Sequence, residues 1–121
     1  ARKTLGPRQR LRHTTDFREA YDQNRRWHGR YMVLFLRAAP DASRRLGVVA
    51  SKRVGNAVER ARAKRRLREV FRRQRSTLTA PAPDDVILVA RHSILAAPWP
   101  EVVADFQHLA RQAGLTPPGI S

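Results

Sequence analysis

The chain has 121 residues, which is enough for one domain with a modest core and too few for two independent domains. Lys and Arg number 25 against 10 Asp and Glu, and the formal charge of +15 favours nucleic acid or an anionic membrane surface as the partner. The lack of cysteine excludes disulfides, thiolate metal sites and cysteine nucleophiles.

No apolar run approaches the about 20 residues that a membrane span needs, and the first residues lack the apolar core of a signal peptide. We therefore expect a soluble protein located in the cytoplasm. The charge is uneven, because residues 51–75 carry 11 basic and 2 acidic side chains, whereas residues 76–121 carry 2 basic and 4 acidic ones. The basic function is thus predicted to lie in the first 75 residues.

The amino-terminal segment is basic and contains a Gly-Pro pair but no apolar periodicity, so residues 1–14 are predicted to form an extended basic arm. Asp16 with Glu19 three residues later is typical of a capping box, which predicts a short helix. Phe17 and Tyr21 fall on one face of this helix.

Three apolar segments predict strands. Residues 31–37 are apolar on both alternations, with Tyr31, Val33 and Phe35 on one side. Residues 45–51 follow after a short loop, which favours an antiparallel hairpin with the first strand. Residues 85–91 form the third predicted strand.

A helix of about 18 residues is predicted between the second and third strands, because Gly55 breaks the chain, Asn56 can cap and Glu59 completes a capping box. Its narrow apolar arc should pack on the sheet and consists of Ala63, Leu67, Val70 and Phe71. Beside the arc lies a predicted cationic sector without acids, made of Arg60, Lys64, Arg65, Arg68, Arg72 and Arg75.

Like charges one turn apart destabilise a helix, so the cationic sector predicts a surface that binds phosphates. The alternative is a solvated helix face, but such faces normally mix both signs of charge. A last helix is predicted to pack on the core through Val102, Val103, Phe106, Leu109 and Ala110, and residues 112–121 are predicted to form a tail.

The aromatic residues Phe17, Tyr21, Tyr31 and Phe35 would either belong to the core or line a groove where single-stranded bases stack, and spacing does not choose between these. The histidines have no metal-ligand spacing and form no nucleophile set with an acid. We therefore predict neither a metal site nor a catalytic residue in the protein.

The segment SKRVGNAVERARAKRRLREVFR, residues 51–72, resembles the signature of the bacterial ribonuclease P protein family. The segments RLRHTTDFREAY, RYMVLFL and DVILVAR are similar to the basic arm, first helix and strands of the same family. One departure concerns the family's Arg-Asn-Arg motif, because Ala61 stands between Arg60 and Arg62 where the family has Asn.

The resemblance implies an α+β fold, a single α/β sandwich over residues 1–121 with element order αβββαβα, a small mixed sheet and a left-handed βαβ crossover. It implies the protein subunit of an endoribonuclease that removes the 5′ leader of precursor tRNA. The chemistry would come from the RNA subunit and from magnesium held mainly by that RNA. No small-molecule substrate and no membrane partner is expected.

The resemblance also assigns residues to two surfaces. The surface for ribonuclease P RNA would contain Lys52, Arg53, Asn56, Arg60, Arg62, Lys64, Arg65, Arg68 and Arg72. The groove for the precursor-tRNA leader would contain Arg10, Arg12, Phe17, Tyr21, Tyr31 and Phe35.

Two other classes remain open. A structural or ribosomal RNA-binding protein would share this charge and size, but would bind ribosomal RNA without assisting tRNA processing. A membrane-surface helix would need bulky apolar residues opposite its cations, and only Leu67, Val70 and Phe71 qualify, which disfavours that class.

Overall fold

Three helices and four strands follow one another in the order αβββαβα in the computed structural model, which describes residues 10, 11 and 13–116. This order and the mixed four-stranded sheet confirm the predicted α+β class. The elements are α1 (Thr14–Gln23), β1 (Arg26–His28), β2 (Met32–Arg37), β3 (Leu46–Val49), α2 (Ala57–Gln74), β4 (Asp85–Ala90) and α3 (Trp99–Gln112).

The strand order in the sheet is β1-β2-β4-β3. β4 pairs antiparallel with β2 and parallel with β3, so the predicted hairpin between residues 31–37 and 45–51 is wrong. The β2–β3 loop instead crosses the start of β4, where Asp85 accepts hydrogen bonds from the backbone N–H groups of Ser43 and Arg45 at 3.2 and 2.7 Å. The left-handedness of the β3–α2–β4 crossover stays a prediction.

β1 was not predicted from the apolar pattern, because three residues flanked by polar ones show no alternation. It pairs antiparallel with β2, with Trp27 opposite Leu34. The sequence therefore indicates β2, β3 and β4 but not the short strand β1 at the outer edge.

The main core lies between one face of the sheet and the helices α2 and α3. Met32, Leu34 and Leu36 of β2 and Val86 and Leu88 of β4 are almost fully buried there. The predicted apolar arc of α2 is confirmed, because its buried residues are Ala63, Leu67, Val70 and Phe71. The predicted core face of α3 is also confirmed, and the ring of Phe106 meets that of Phe71 edge to face at 6.4 Å.

The other face of the sheet carries α1 and a smaller cluster. Phe35 and Ile87 are buried beneath it, and Ala20 is the one apolar residue of α1 that is fully buried. A single alanine contributes little apolar area, so the rings of Phe17 and Tyr21 supply further apolar contact between α1 and the sheet.

The predicted capping box at the start of α1 is wrong. The helix begins at Thr14, and its N-cap His13 makes no side-chain cap hydrogen bond. Asp16 and Glu19 turn instead toward Arg37 at the end of β2, at 3.2 and 3.0 Å from its guanidinium nitrogens. The ion pairs with a buried arginine therefore replace the local capping interaction.

Arg37 is the centre of a buried cluster of charges, with only 4% of its side chain exposed. Besides the two acids of α1 it pairs with Asp85 at 2.7 Å and with Asp41 at 2.8 Å. Burial opposes its charge, but the hydrogen bonds that Arg37 donates to Asp85 and Asp41, together with the charges of Asp16 and Asp41, outweigh burial and raise the pKa of Arg37. We call Arg37 and these four carboxylates, Asp16, Glu19, Asp41 and Asp85, the Arg37 cluster.

Asp105 of α3 fixes the turn between β1 and β2. Its two carboxylate oxygens accept the backbone N–H groups of Arg30 and Tyr31, each at 3.0 Å. Gly29 allows this close approach, since a Cβ there would lie 2.5 Å from Asp105 Oδ2. The polar residue in the otherwise apolar face of α3 thus attaches the helix to the sheet.

We expect Asp105→Ala to lower the free energy of unfolding by about 2–3 kcal/mol, because two backbone donors lose their acceptor. Urea denaturation measures the change. His108→Ala is the matched control, since His108 is exposed on the same helix and should change stability by no more than about 0.5 kcal/mol. Equal losses for both variants would contradict the role given to Asp105.

Candidate nucleic-acid interface

The start of α2 is built by the predicted capping box, which the structure confirms. Asn56 Oδ1 accepts the backbone N–H of Glu59, and Glu59 Oε1 accepts that of Asn56, both at 2.9 Å. Gly55 has φ +151°, and a Cβ at this position would collide with the Glu59 carboxylate. The glycine and the reciprocal cap therefore hold the helix start in one conformation.

Three basic side chains follow one row along α2 next to its buried arc: Arg60, Lys64 and Arg68. All three are partly buried, and none forms an ion pair within the part of the chain that the structure describes. The exposed Arg62 and Arg65 have no acidic partner there either. We call Arg60, Lys64 and Arg68 the basic row.

Arg72 was predicted to continue the cationic sector, but it has an acidic partner and does not belong to the basic row. Its Nε donates to Glu69 Oε2 at 3.2 Å, and Arg73 Nε donates to Glu69 Oε1 at 2.7 Å. The hydrogen bonds from Arg72 and Arg73 lower the pKa of Glu69 to about 2, so this carboxylate is charged at neutral pH. The prediction of an acid-free sector is therefore wrong at Arg72.

Lys52 and Arg53 lie in the turn between β3 and α2, and both are exposed. The turn is held locally, since Ser51 Oγ accepts the backbone N–H of Arg53 at 3.3 Å. These two cations thus stand between the end of the sheet and the capped start of α2.

The residues before α1 bring a further cation to the same side. Leu11 donates its N–H to Leu46 O at 2.9 Å, and Arg10 forms a parallel bridge with Leu46, so this short segment covers the free edge of β3. Burial and the charge of Arg10 lower the pKa of Arg68. Arg10 therefore lies near the basic row, while Arg12 falls outside the described residues.

A shallow groove lies on the sheet face that carries α1. The Tyr21 ring meets the Phe35 ring edge-on at 5.0 Å and is 39% exposed. Phe17 packs over β3, where Gly47 makes room, because a Cβ on Gly47 would lie 2.6 Å from Phe17 Cε1. The predicted aromatic residues Phe17, Tyr21 and Phe35 are thus brought together.

The floor of the groove is a row of valines that the sequence reasoning missed. Val33, Val89 and Val49 are register partners across β2, β4 and β3, and all three are only partly buried. His28 is the register partner of Val33 on β1, and its Nδ1 lies 3.2 Å from Arg91 Nη2. Alternation along each strand indicates which side chains share a face. The valines align across the sheet only when β4 lies between β2 and β3, and the predicted hairpin did not place it there. We use the term groove for Phe17, Tyr21 and Phe35 together with these valines.

Tyr31 does not belong to the groove, so the prediction that it shares a side with Val33 and Phe35 is wrong. It lies in the main core on the opposite face, and its hydroxyl donates to Glu101 Oε1 of α3 at 2.5 Å. That hydrogen bond raises the pKa of the phenol. The strand begins one residue later, at Met32, and the turn at residue 31 places the ring toward α3.

Residues 10, 11 and 13–116 lack two other kinds of site. No group of three or more His, Asp and Glu side chains in this part is placed to hold a metal ion. No helix in it is both long enough and apolar enough to cross a membrane.

Comparison with known proteins gives consistent sequence matches. The family model described as Ribonuclease P matches residues 5–114. The ribonuclease P protein component of Desulfovibrio desulfuricans is 38% identical over 125 residues, covering 99% of this chain and 95% of that protein. The corresponding protein of Coxiella burnetii is 42% identical over 89 residues, covering 73% of this chain and 71% of that protein.

Solved structures show the same fold. The RNase P protein of Staphylococcus aureus superposes with a TM-score of 0.76 at 25% identity, covering 90% of this chain and 98% of that one. The RNase P protein of Thermotoga maritima gives a TM-score of 0.71 at 26% identity, covering 84% of this chain and 96% of that one. The chain therefore belongs to the ribonuclease P protein family, the protein components of a tRNA-processing endoribonuclease.

Proposed function

We propose that the chain binds two RNAs at once: the catalytic RNA of ribonuclease P through α2, and the 5′ leader of precursor tRNA through the groove. The observation that carries this proposal is the place where the two surfaces meet. Arg10 is held at the β3 edge beside the groove face by its bridge to Leu46, and neither Arg10 nor Arg68 of the basic row has an acidic partner among the described residues. Burial and the charge of Arg10 lower the pKa of Arg68, which agrees with this placement. Uncompensated cations so close together favour a polyanion that spans both surfaces.

On the α2 side, arginine dominates, and its planar guanidinium suits bidentate contact with phosphate. The proposed contacts with the catalytic RNA are the basic row together with Lys52, Arg53, Asn56, Arg62 and Arg65. Arg72 would contribute less, because Glu69 already neutralises it.

In the groove, the exposed Tyr21 ring and the valine floor offer apolar contact to unpaired bases, which is tolerant of sequence. We propose that the chain thereby screens the repulsion between two RNAs and favours precursor over mature tRNA. Magnesium held mainly by the RNA would activate the attacking water and neutralise the developing charge. The proposed location is the cytoplasm, where precursor tRNA is available.

The direct test is 5′ cleavage of precursor tRNA at low magnesium by a bacterial ribonuclease P RNA, with and without this protein. We expect the protein to restore cleavage and to cleave nothing alone. Tight binding to ribosomal RNA without stimulation of cleavage would contradict the proposal and support a structural RNA-binding protein. The variant Ala61→Asn belongs in the same assay, since stimulation only by this variant would show that Ala61 disables the motif.

Replacing Arg60, Lys64 and Arg68 together by Ala should flatten the dependence of catalytic-RNA affinity on salt. Each lost phosphate contact lowers the slope of log K against log salt by about 0.7–0.9, so the triple variant should lose about 2–3 units. Filter binding at salt concentrations from about 50 to about 400 mM measures the slope.

The control for the basic row is Arg30→Ala with Arg111→Ala, since both cations are exposed and lie beside or on α3. Per charge removed, this double variant should change the slope of log K against log salt much less than the triple variant of the basic row does. An equal change per charge would show that only net charge matters and would contradict a specific surface on α2.

Tyr21→Ala should weaken binding of precursor tRNA to the reconstituted particle by about 1–3 kcal/mol and leave mature tRNA unchanged, because one stacking ring is lost. Tyr21→Phe keeps the ring and should retain most of the affinity. Equilibrium binding of both tRNAs measures the effect, and equal losses for precursor and mature tRNA would place Tyr21 outside the leader site.

A further inference from the structure

The position of α1 over the sheet decides the shape of the groove, because α1 carries two of its three aromatic residues. Its apolar contacts with the sheet come from the fully buried Ala20 and from the rings of Phe17 and Tyr21. Its other buried residue is Asp16, whose carboxylate faces Arg37. The rings of Phe17 and Tyr21 hold α1 on the sheet by apolar contact, and the ion pair at Asp16 adds a charged contact.

We infer that Arg37 is a positioning residue that sets the width of the groove through its ion pairs with α1. Two of the guanidinium nitrogens donate hydrogen bonds, Nη1 to Asp85 at 2.7 Å and Nη2 to Asp41 at 2.8 Å. The acids of α1 form ion pairs with the same group, Asp16 at 3.2 Å from Nη2 and Glu19 at 3.0 Å from Nε. Because these two hydrogen bonds give the planar group one orientation, its positive charge defines where the acids of α1 can lie.

The base of this arrangement is rigid. Asp85 is completely buried at the first position of β4, and it also accepts hydrogen bonds from Arg45 and from the backbone of the β2–β3 loop. The Arg37 side chain is thus held against the sheet independently of its contacts with α1. A shift of α1 relative to the sheet would therefore change its contacts with Arg37.

A second polar contact lies one residue further along the chain from Arg37. Gln23 Nε2, in the last residue of α1, donates to Ala38 O at 2.7 Å, and Gln23 Oε1 accepts the N–H of Ala38 at 2.8 Å. Arg37 therefore anchors the first half of the helix, and Ala38 anchors its end. Phe17 and Tyr21 lie between these two anchors.

This inference rests on the proposed function of the groove, and it predicts that leader recognition depends on acids that do not touch RNA. The test is the double variant Asp16→Asn with Glu19→Gln, which keeps the side-chain shapes but weakens the link to Arg37. It leaves Asp85 and Asp41 paired. Because the variant removes two negative charges, simple electrostatics would tighten binding of every RNA.

We expect the opposite for the leader. The preference of the reconstituted particle for precursor over mature tRNA should fall by about fivefold or more, as for a lost stacking contact. Asp22→Asn is the matched control, because Asp22 is exposed on α1 and has no ion pair among the described residues. It should leave the preference unchanged. A preference in the double variant equal to that of wild type would overturn the inference.

A second measurement tests the position of α1 without RNA. The 5.0 Å separation of the Tyr21 and Phe35 rings should give strong NOEs in the wild-type protein. We expect these to weaken in the double variant, or in Glu19→Gln alone if the double variant fails to fold. Unchanged NOEs would overturn the inference. A wild-type protein without preference for precursor would instead contradict the proposed function, and the NOEs would still decide the positioning role.

Discussion

Asp85 joins three strands at one end of the sheet. It is the first residue of β4, its register partner is Arg37 at the end of β2, and it accepts hydrogen bonds from the side chain and backbone of Arg45, just before β3. A buried carboxylate is costly unless it is paired and hydrogen-bonded, and this one has two arginines and two backbone donors. A strand arrangement without these partners would leave this buried carboxylate unpaired. The pairing of Asp85 therefore stabilises the arrangement in which β4 lies between β2 and β3. The crossing loop, the central strand and the site of α1 all depend on it.

The use of the acids inside the domain has a consequence for its surface. Nine of the ten carboxylates form an ion pair or a hydrogen bond within the described residues, and the remaining one is Asp22. Most of them hold strands, loops or helix ends together. Few acids are therefore free to neutralise α2, and the basic row faces solvent with its charge uncompensated. The placing of acids in internal contacts thus stabilises the fold and also leaves the basic row unpaired for the proposed binding of RNA.

Local patterns allowed part of this structure to be predicted. The capped start of α2, its buried arc and the core face of α3 depend on spacing within one helix, and these predictions are confirmed. The errors concern contacts between distant residues. Asp16 and Glu19 match a capping box, but a buried arginine outside the helix is a stronger partner. The hairpin prediction was also wrong because of a contact between distant residues. The place of β4 between β2 and β3 involves Asp85, which lies some 40 positions from the loop that it binds. The row of valines in the groove depends on the pairing of β4 with β2 and β3, so it was not predicted either.

Ala61 is a departure, on the surface of α2, from the motif that this segment resembles. The residue is exposed between Arg60 and Arg62, so it has no role in the core. Alanine is the best helix former, and α2 carries many like charges that weaken it. An amide at this position would add a directional contact to RNA but would lower helix propensity. With alanine, the helix gains intrinsic stability, and the proposed RNA contact depends more on its arginines. Binding by α2 in this chain should therefore be governed by phosphates more than by particular bases.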